Sequence, residues 1–519
     1  MAENEFDFVV SIEELSARKV VKRVDNTHSS GGHDQPVVST FEAHEKHSTE
    51  KVISSTDSSW ENKLERLMVE EEEQQGGDPA TSHKPKIQTV PPMLRGQKNF
   101  EKYFEPRAVS IGPLHHGKPK LQVAEKYKPK LTKKFINNRS ADNGKDLYMK
   151  IWNNIEMLRD CYDEAVTRNW DNQSLAWMLF LDGCSTLQFI HSFVTNELKI
   201  FKIKNDQIAF AQQDLFLLEN QLPYQLLKLL MNDDDREVGN QNDEEKKKNK
   251  YEESIRTFIR MNVMAPKKYM HQIDVNMEKK QEPAHLLELL QSALIYQPPK
   301  KKQSQSKRKK PDPYRNKKKL DCRISYRNVQ ELKAAGIQLK PSSTSSLKDI
   351  DFNSLCFAGY LKLPQLIVDD STGPLFFNLI AYEMCPDNIQ TKYEVTSYVS
   401  FLDSLIDNAE DVKDLRSANI LENSLGSDLE VAELFNEIGT DLVPNPEAYM
   451  KVKAKIQKHY KNKWTTWMAQ VCHDHFSSPW TIMAFSAALV ALALSGIQTW
   501  KSVFPDPGPC DNFCKNMTL

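Results

Sequence analysis

One stretch near the C-terminus constrains this 519-residue chain more than any other feature. Residues 477–500 contain no charged side chain and read SSPWTIMAFSAALVALALSGIQTW. As an α-helix this run would be about 36 Å long, which exceeds the roughly 30 Å hydrocarbon core of a bilayer. Pro479 suits a first helical turn, and Trp480 and Trp500 are spaced to occupy the two membrane interfaces. The pattern predicts a single C-terminal transmembrane helix at 477–503 with the lipid bilayer as its partner, and the alternative is a buried helix of a globular domain.

The residues that flank this helix indicate an orientation. Six lysines precede it and two follow it: Lys451, Lys453, Lys455, Lys458, Lys461 and Lys463, then Lys501 and Lys515. Because cations favour the cytosolic side, we expect the N-terminal body in the cytosol and a short luminal or extracellular tail at 504–519. In that tail Cys510 and Cys514 could pair, and Asn516 begins a glycosylation sequon. Plasma membrane and endoplasmic reticulum both fit this tail-anchored, single-pass arrangement.

Small side chains recur along the predicted membrane helix. They are Ala484, Ala487, Ala488, Ala491 and Ser495. A face of small residues allows helices to approach closely in a bilayer, so a homo-oligomer is one hypothesis for the partner and another protein is a second.

The N-terminal part of the chain is polar. Residues 1–58 lack a sustained apolar period and are predicted to be a disordered tail. Residues 59–86 are predicted to form a short helix followed by a linker, since Trp60, Leu64, Leu67 and Met68 share one helical face.

Residues 87–470 have the composition of a globular domain. The apolar stretches 175–181 and 214–222 are typical of buried helices, and residues 431–439 predict a helix that stops at Gly439. Segments 335–340 and 355–370 are rich in strand-forming residues. In the second, Leu361 and Leu363 alternate with Lys362 between Gly359 and Pro364, which predicts a small β-hairpin or edge sheet. The expected fold class is therefore mainly α with a small β element (α+β).

Two polar insertions interrupt the globular composition, at 232–250 and 297–319. The second contains 11 Lys or Arg and four Pro. Neither insertion has enough apolar surface to offset the entropy of ordering it, so both are expected at the surface. The basic residues at 300–319 could contact anionic lipids, serve as a nuclear localisation signal or form a solvated loop. Nucleic-acid binding is not expected, because Tyr314 is the one aromatic residue there and the chain carries 69 basic against 71 acidic residues.

Histidines and carboxylates are the candidate catalytic residues of this chain. His115 and His116 are adjacent, so they do not chelate one metal as histidines at i and i+4 do. The carboxylates Asp182, Glu219 and Glu383 lie in apolar stretches predicted to be helical, where a partnered structural role is favoured. The sequence contains no nucleotide-binding, zinc-protease or hydrolase motif, so we predict no enzyme activity, no catalytic or metal-binding residue and no cofactor. The alternative is an enzyme of unrecognised type that uses His115 or His116 with a helix carboxylate.

Several motifs in order resemble those of one plant family, the domain of unknown function 247 family (uncharacterised protein family 0481). They occupy residues 109–117 (VSIGPLHHG), 178–184 (MLFLDGC), 214–223 (DLFLLENQLP), 331–337 (ELKAAGI), 370–372 (DST), 378–383 (NLIAYE) and 396–407 (TSYVSFLDSLID). The sequence departs from the family pattern at Leu114, Ser185 and Gln188 and in its enlarged basic insertion.

The resemblance runs from about residue 60 to residue 503. It implies a land-plant source, a mostly helical domain and a C-terminal membrane anchor, but no catalytic site. Some grass members of the family are associated with pollen-side self-incompatibility. The expectation is therefore a membrane-anchored plant protein of unknown molecular function whose cytosol-facing domain acts in interaction or recognition.

Overall fold

The computed structural model describes residues 86–139, 144–232, 249–275, 282–297, 328–355, 358–386, 388, 391–461 and 479–504. Helix accounts for 59% of these residues and strand for 7%, which confirms the mainly helical fold class with a small β element. The tail at 1–58, the segment 59–85, most of both insertions and the tail beyond Phe504 lie outside the described residues. The domain limits inferred from the sequence therefore stay predictions.

The first half of the globular part is helical. Its helices are α1 (Pro92–Arg95), α2 (Phe100–Phe104), α3 (Gln122–Glu125), α4 (Lys128–Asn137), α5 (Gly144–Asn153), α6 (Ile155–Arg159), α7 (Glu164–Thr167), α8 (Asn172–Val194), α9 (Asn205–Asp214), α10 (Tyr224–Met231), α11 (Lys250–Met261) and α12 (Leu286–Ile295). Three 3-10 turns lie among them, at Pro119–Leu121, Leu198–Phe201 and Lys267–Gln272.

Helix α8 is the centre of this half. It is apolar on most of its faces, as a helix surrounded by protein must be, and it packs against α4, α5, α10 and α11. Asp171 caps its N-terminus by accepting a hydrogen bond from the Ser174 amide. Gly183 brings α10 close, because a Cβ at this position would lie 2.5 Å from the Leu230 side chain.

The second half contains the strands and a second central helix. Its elements are α13 (Val329–Ala334), β1 (Ile337–Pro341), β2 (Asp351–Leu355), β3 (Ala358–Leu363), β4 (Leu366–Val368), α14 (Thr372–Glu383), α15 (Glu394–Asp403), α16 (Ala409–Ser417), β5 (Leu421–Asn423), α17 (Asp428–Ile438) and α18 (Met450–Tyr460). Every residue of α14 is buried, and the helix packs against α2, α12, α15 and α17. The buried apolar residues of both halves form one continuous core.

The predicted small β element is present as a three-stranded sheet, but the two predicted segments run parallel in it as β1 and β3 and so do not form a hairpin with each other. The strand order is β1-β3-β2, with β2 antiparallel and β1 parallel to β3. Gly359 does not bound the strand as expected but lies inside β3, where a Cβ would be 2.8 Å from the Phe352 ring. Strands β4 and β5 form a separate parallel pair.

The segment 214–222 was predicted to be a buried helix, and that prediction is wrong. Helix α9 ends at Asp214, and the next residues form a buried, irregular connection to α10. Side chains satisfy its backbone, because Asn220 Nδ2 donates to the Asp214 carbonyl and Gln221 Nε2 donates to the Leu215 and Leu217 carbonyls. These internal partners replace the hydrogen bonds that a helix would have supplied.

The C-terminal helix α19 (Pro479–Val503) is present at the predicted place. Within it, residues Met483–Val503 are long and apolar enough to cross a membrane, and this window is not buried against other described residues. Leu492 at its centre is 70% exposed.

Candidate functional site

The loop at residues 106–112, which contains part of the first family motif, is held by side chains from distant segments. The Asp214 carboxylate accepts three successive backbone N–H groups, those of Arg107, Ala108 and Val109, at 3.0, 2.7 and 2.9 Å. Asn220 Oδ1 accepts the N–H of Ile111 at 2.7 Å. These four hydrogen bonds satisfy backbone donors of the loop that no helix or strand would satisfy.

Gly112 completes the loop. Its amide donates to Asp182 Oδ2 at 2.9 Å, and its φ of +73° lies in the region that glycine adopts without strain. A Cβ at this position would lie 2.8 Å from the carbonyl oxygen of Gln221. Both the backbone conformation and the space therefore require glycine here.

Asp182 also forms a buried ion pair. Lys128 Nζ lies 2.6 Å from Asp182 Oδ1 and 2.7 Å from Glu125 Oε1, with the two side chains of the pair 4% and 2% exposed. Burial alone would lower the pKa of Lys128, but Asp182 and Glu125 outweigh it and raise that pKa. Burial raises the pKa of Asp182, and Lys128 and the Gly112 amide act against that rise. The lysine is therefore charged at pH 7 and links α4 to α8.

Glu219 and His115 are the one predicted histidine–carboxylate pair that the described structure brings together. Glu219 lies in the buried connection rather than in a helix; it accepts the Val90 amide at 2.8 Å and pairs with Arg95. His115 Nε2 lies 3.7 Å from Glu219 Oε2, and the His115 side chain is 3% exposed. Burial, with a smaller contribution from nearby Lys118, lowers the pKa of His115 to about 4, so the imidazole is neutral at pH 7.

The other predicted groups lie apart from this pair. The His116 ring meets the Trp170 ring edge-on, with centroids 5.2 Å apart. Glu383 at the end of α14 accepts the amides of Val395 and Thr396 at 2.9 Å each and the Thr396 hydroxyl at 2.6 Å. Asp182, Glu219 and Glu383 thus each serve a separate structural network. Within the described residues, no group of three or more His, Cys, Asp or Glu side chains could hold a metal ion. The expected lack of enzyme activity stays a prediction.

A cavity of about 260 Å³, which the sequence analysis did not predict, lies beside the loop at residues 106–112. Arg107, Ala108, Val109 and Ile111 form one wall; the other walls come from α3, α4, α8 and α9 and include Val123, Ala124, Leu131, Ser185, Thr186, Phe189, Phe210 and Ala211. Neither His115 nor His116 lines it. Four segments separated in sequence build the cavity, so no local spacing could have indicated it.

The motifs of the chain match one family and two relatives. The profile of the DUF247 family, described as a plant protein of unknown function, matches residues 87–494. The UPF0481 protein At3g47200 of Arabidopsis thaliana is 27% identical over 418 residues, which cover 77% of this chain and 82% of the relative. The putative UPF0481 protein At3g02645 of the same plant is 23% identical over 471 residues, covering 77% and 87%.

No solved structure matches the chain. The family assignment therefore rests on the sequence match, which spans all seven motifs and both central helices, α8 and α14. The chain belongs to the DUF247 family of plant proteins of unknown function.

Proposed function

We propose that this chain is a membrane-tethered interaction protein, anchored by α19 with its globular part in the cytosol. The proposal rests on α19, whose 25 helical residues are about 37 Å long. Its apolar side chains are exposed, including Met483, Val490 and Leu492, and Trp480 and Trp500 lie near its two ends. Such a surface is stable in hydrocarbon and costly in water.

The cysteines support the cytosolic orientation. Cys184 is buried in the core as a free thiol, and the cysteines between residues 161 and 472 are scattered along the sequence with no CxxC pair. Such cysteine usage fits a reducing compartment. Lys455, one of the flanking lysines, lies 3.4 Å from Asp351 and belongs to the globular surface, so the proposed orientation rests on the other flanking lysines and on the cysteine usage.

The interaction role is supported by exposed apolar side chains on neighbouring helices. Met149 and Trp152 on α5 and Trp177 on α8 are all exposed, and Tyr148 on α5 lies with its ring centroid 6.0 Å from that of Trp177. Aromatic residues and Met are enriched in protein interfaces. The partner is either a second copy of the chain or another protein.

Membrane extraction tests the anchor. Full-length protein with an epitope at each end is expected to stay in the pellet after alkaline extraction, with its C-terminal epitope protected from protease and its N-terminal epitope digested. The double variant Val490→Arg/Leu492→Arg is expected in the soluble fraction, because each central arginine costs about 3 kcal/mol in a bilayer. Thr499→Arg, near the end of the helix, is the matched control and is expected to stay in the membrane.

Different results would contradict the anchor, the orientation and the interaction role one at a time. Soluble full-length protein would make α19 a helix of the globular part, and a protected N-terminal epitope would reverse the orientation. A lysine-reactive crosslinker applied to the same membranes is expected to give adducts larger than the monomer, and recovery of monomer alone would contradict the interaction role.

A further inference from the structure

The cavity beside the loop at residues 106–112 has the shape and lining of a small-molecule site. Its volume of about 260 Å³ is close to the lower limit of about 300 Å³ for drug-sized ligands. Leu131, Phe189 and Leu215 contribute apolar wall, and the buried Ser185 and Thr186 add hydroxyl groups. An apolar chamber with a few polar groups is the usual composition of a ligand site.

The rim of the cavity carries apolar side chains that are left in water. Val123 on α3 is 47% exposed and Phe210 on α9 is 37% exposed, and both line the cavity. A ligand with an apolar body would cover surface that is otherwise hydrated, and this burial would contribute to binding.

The charge at the rim points to an anion. The Arg107 guanidinium lies over the Phe210 ring at 4.3 Å and bonds to the neutral amide of Gln213. Arg107 acts electrostatically on the buried Asp214, but among the described residues it forms no salt bridge, so N–H donors at the edge of its guanidinium plane are available for a carboxylate. Arg107 and Lys120 also line a shallow basin outside the cavity, which adds Lys98 and Lys102 against Glu101 and Glu105 and so carries two more cations than carboxylates.

Two further cations line the cavity, and both are already paired. Lys120 pairs with Glu105, and the Lys128 ammonium lies 2.6 Å from Asp182 and 2.7 Å from Glu125. Asp206, which is exposed on α9, is the one carboxylate of the lining, and Arg107 is the one cation there without a salt bridge among the described residues. The inner end of the cavity therefore offers no unpaired positive charge, and an anionic group is favoured at the Arg107 end.

We propose that this cavity binds a small amphipathic acid, with its apolar body between α4, α8 and α9 and its carboxylate on the Arg107 guanidinium. This site does not depend on the membrane anchor, so the two proposals stand or fall separately. A bound ligand would contact both the loop at residues 106–112 and α9, which together form much of the cavity wall, and would restrict the motion of one relative to the other.

A matched series of three ligands tests the proposal. Full-length protein in lipid nanodiscs is titrated calorimetrically with 4-phenylbutyrate, 4-phenylbutanol and 4-phenylbutylamine, and titrations of empty nanodiscs are subtracted. We expect the acid to bind at least about tenfold more tightly than the alcohol, because a charge-assisted hydrogen bond replaces a neutral one. We expect the amine to bind more weakly than the alcohol.

Variants locate the binding. Arg107→Gln is expected to remove the preference for the acid and to leave the alcohol affinity unchanged, whereas Arg168→Gln, an exposed arginine that does not line the cavity, is the control and should change neither. Ala211→Trp and Ala124→Trp fill the cavity from two walls and are expected to abolish binding of both ligands, with an unchanged thermal midpoint showing that the fold persists.

Three results would overturn the proposal. If none of the three ligands binds the folded protein, the cavity is not a site of this class. If the alcohol or amine binds as tightly as the acid, or if Arg107→Gln keeps the preference, the carboxylate is not recognised at Arg107. Binding that survives in both cavity-filling variants would place the ligand elsewhere.

Discussion

The Lys128–Asp182 pair offers a direct test of how the motif residues hold this fold together. Asp182→Asn keeps an oxygen that can accept the Gly112 amide, so the change removes the charge and little else. Lys128 would remain buried with Glu125 alone, on the other side of its ammonium. The expected result is a large loss of stability from a nearly isosteric substitution.

The magnitude follows from the geometry. At the observed 2.6 Å between Nζ and Oδ1, an effective dielectric constant of about 20 gives a gross attraction of about 6 kcal/mol. Part of this offsets the cost of removing both charges from water, and breaking one side of such a buried pair costs about 3–5 kcal/mol. We expect Asp182→Asn to lower the free energy of unfolding by that amount.

A double-mutant cycle checks this reasoning. Lys128→Met removes the cation at similar volume, and the double variant Lys128→Met/Asp182→Asn leaves no unpaired buried charge on α8. Urea unfolding of full-length protein in nanodiscs, followed by tryptophan fluorescence, should show the double variant to be at least about 2 kcal/mol more stable than the sum of the single effects predicts. Additive effects, or a loss below about 1 kcal/mol for Asp182→Asn, would refute the assigned role of the pair.

Two further predictions concern buried histidines and the loop glycine. Burial lowers the pKa of His115 to about 4 and the pKa of His285 to about 3, so both imidazoles are neutral in the folded chain. His285 caps α12, because its Nδ1 accepts a hydrogen bond from the Glu288 amide. Below about pH 6.5 the unfolded chain binds protons that the folded chain does not, and each histidine should cost about 2 kcal/mol of stability between pH 7 and pH 5. His285→Asn, which keeps a capping acceptor, should make stability fall less steeply over that range, as measured by unfolding at each pH; an unchanged slope would contradict the neutral folded state. Gly112→Ala should cost at least about 2 kcal/mol in the same assay, since its φ is positive and its Cβ would meet the Gln221 carbonyl; a loss below about 0.5 kcal/mol would show that the loop relaxes freely.

Much of the fold could be predicted from local patterns. The apolar run 175–181 in α8, the helix end at Gly439 and the alternation in β3 each occupy fewer than 25 residues, and the structure shows a buried helix, a helix end and a strand at those places. Gly439, however, is required for a different reason than a helix stop. Its φ is −67°, and a Cβ would lie 2.3 Å from the Asp403 carboxylate.

The connection after α9 shows why some of the fold could not be predicted. Residues 214–222 have an apolar composition suited to a helix. Their irregular conformation depends instead on the acceptors of the Asn220 and Gln221 side chains and on Asn378. Asn378 Oδ1 accepts the Leu218 amide at 2.8 Å, and its Nδ2 donates to the carbonyls of Tyr103 and Pro374. Asn378 comes from the other half of the chain, so no local window contains it, whereas Asn220 and Gln221 donate to backbone carbonyls of the segment itself.

At the candidate site, the sequence predicted the structural role of the carboxylates but not the cavity. A partnered, structural role for Asp182, Glu219 and Glu383 follows from the cost of burying a carboxylate, and the structure shows a partner network for each. The cavity and the role of Arg107 were missed, because an arginine in a loop carries no sequence signal until Phe210 and Gln213 are placed beside it.

The clamped loop has a consequence for the order of folding. Its amides at Arg107, Ile111 and Gly112 bond to acceptors 107, 109 and 70 residues later in the chain. Closing such long loops costs entropy before the bonds form, so we expect these bonds to form after α8 and the connection to α10 have come together. During synthesis the loop leaves the ribosome before the residues that accept its hydrogen bonds, so these bonds cannot form until those residues have also emerged. Until then its hydrogen bonds go to water, and the cavity wall that it forms does not exist.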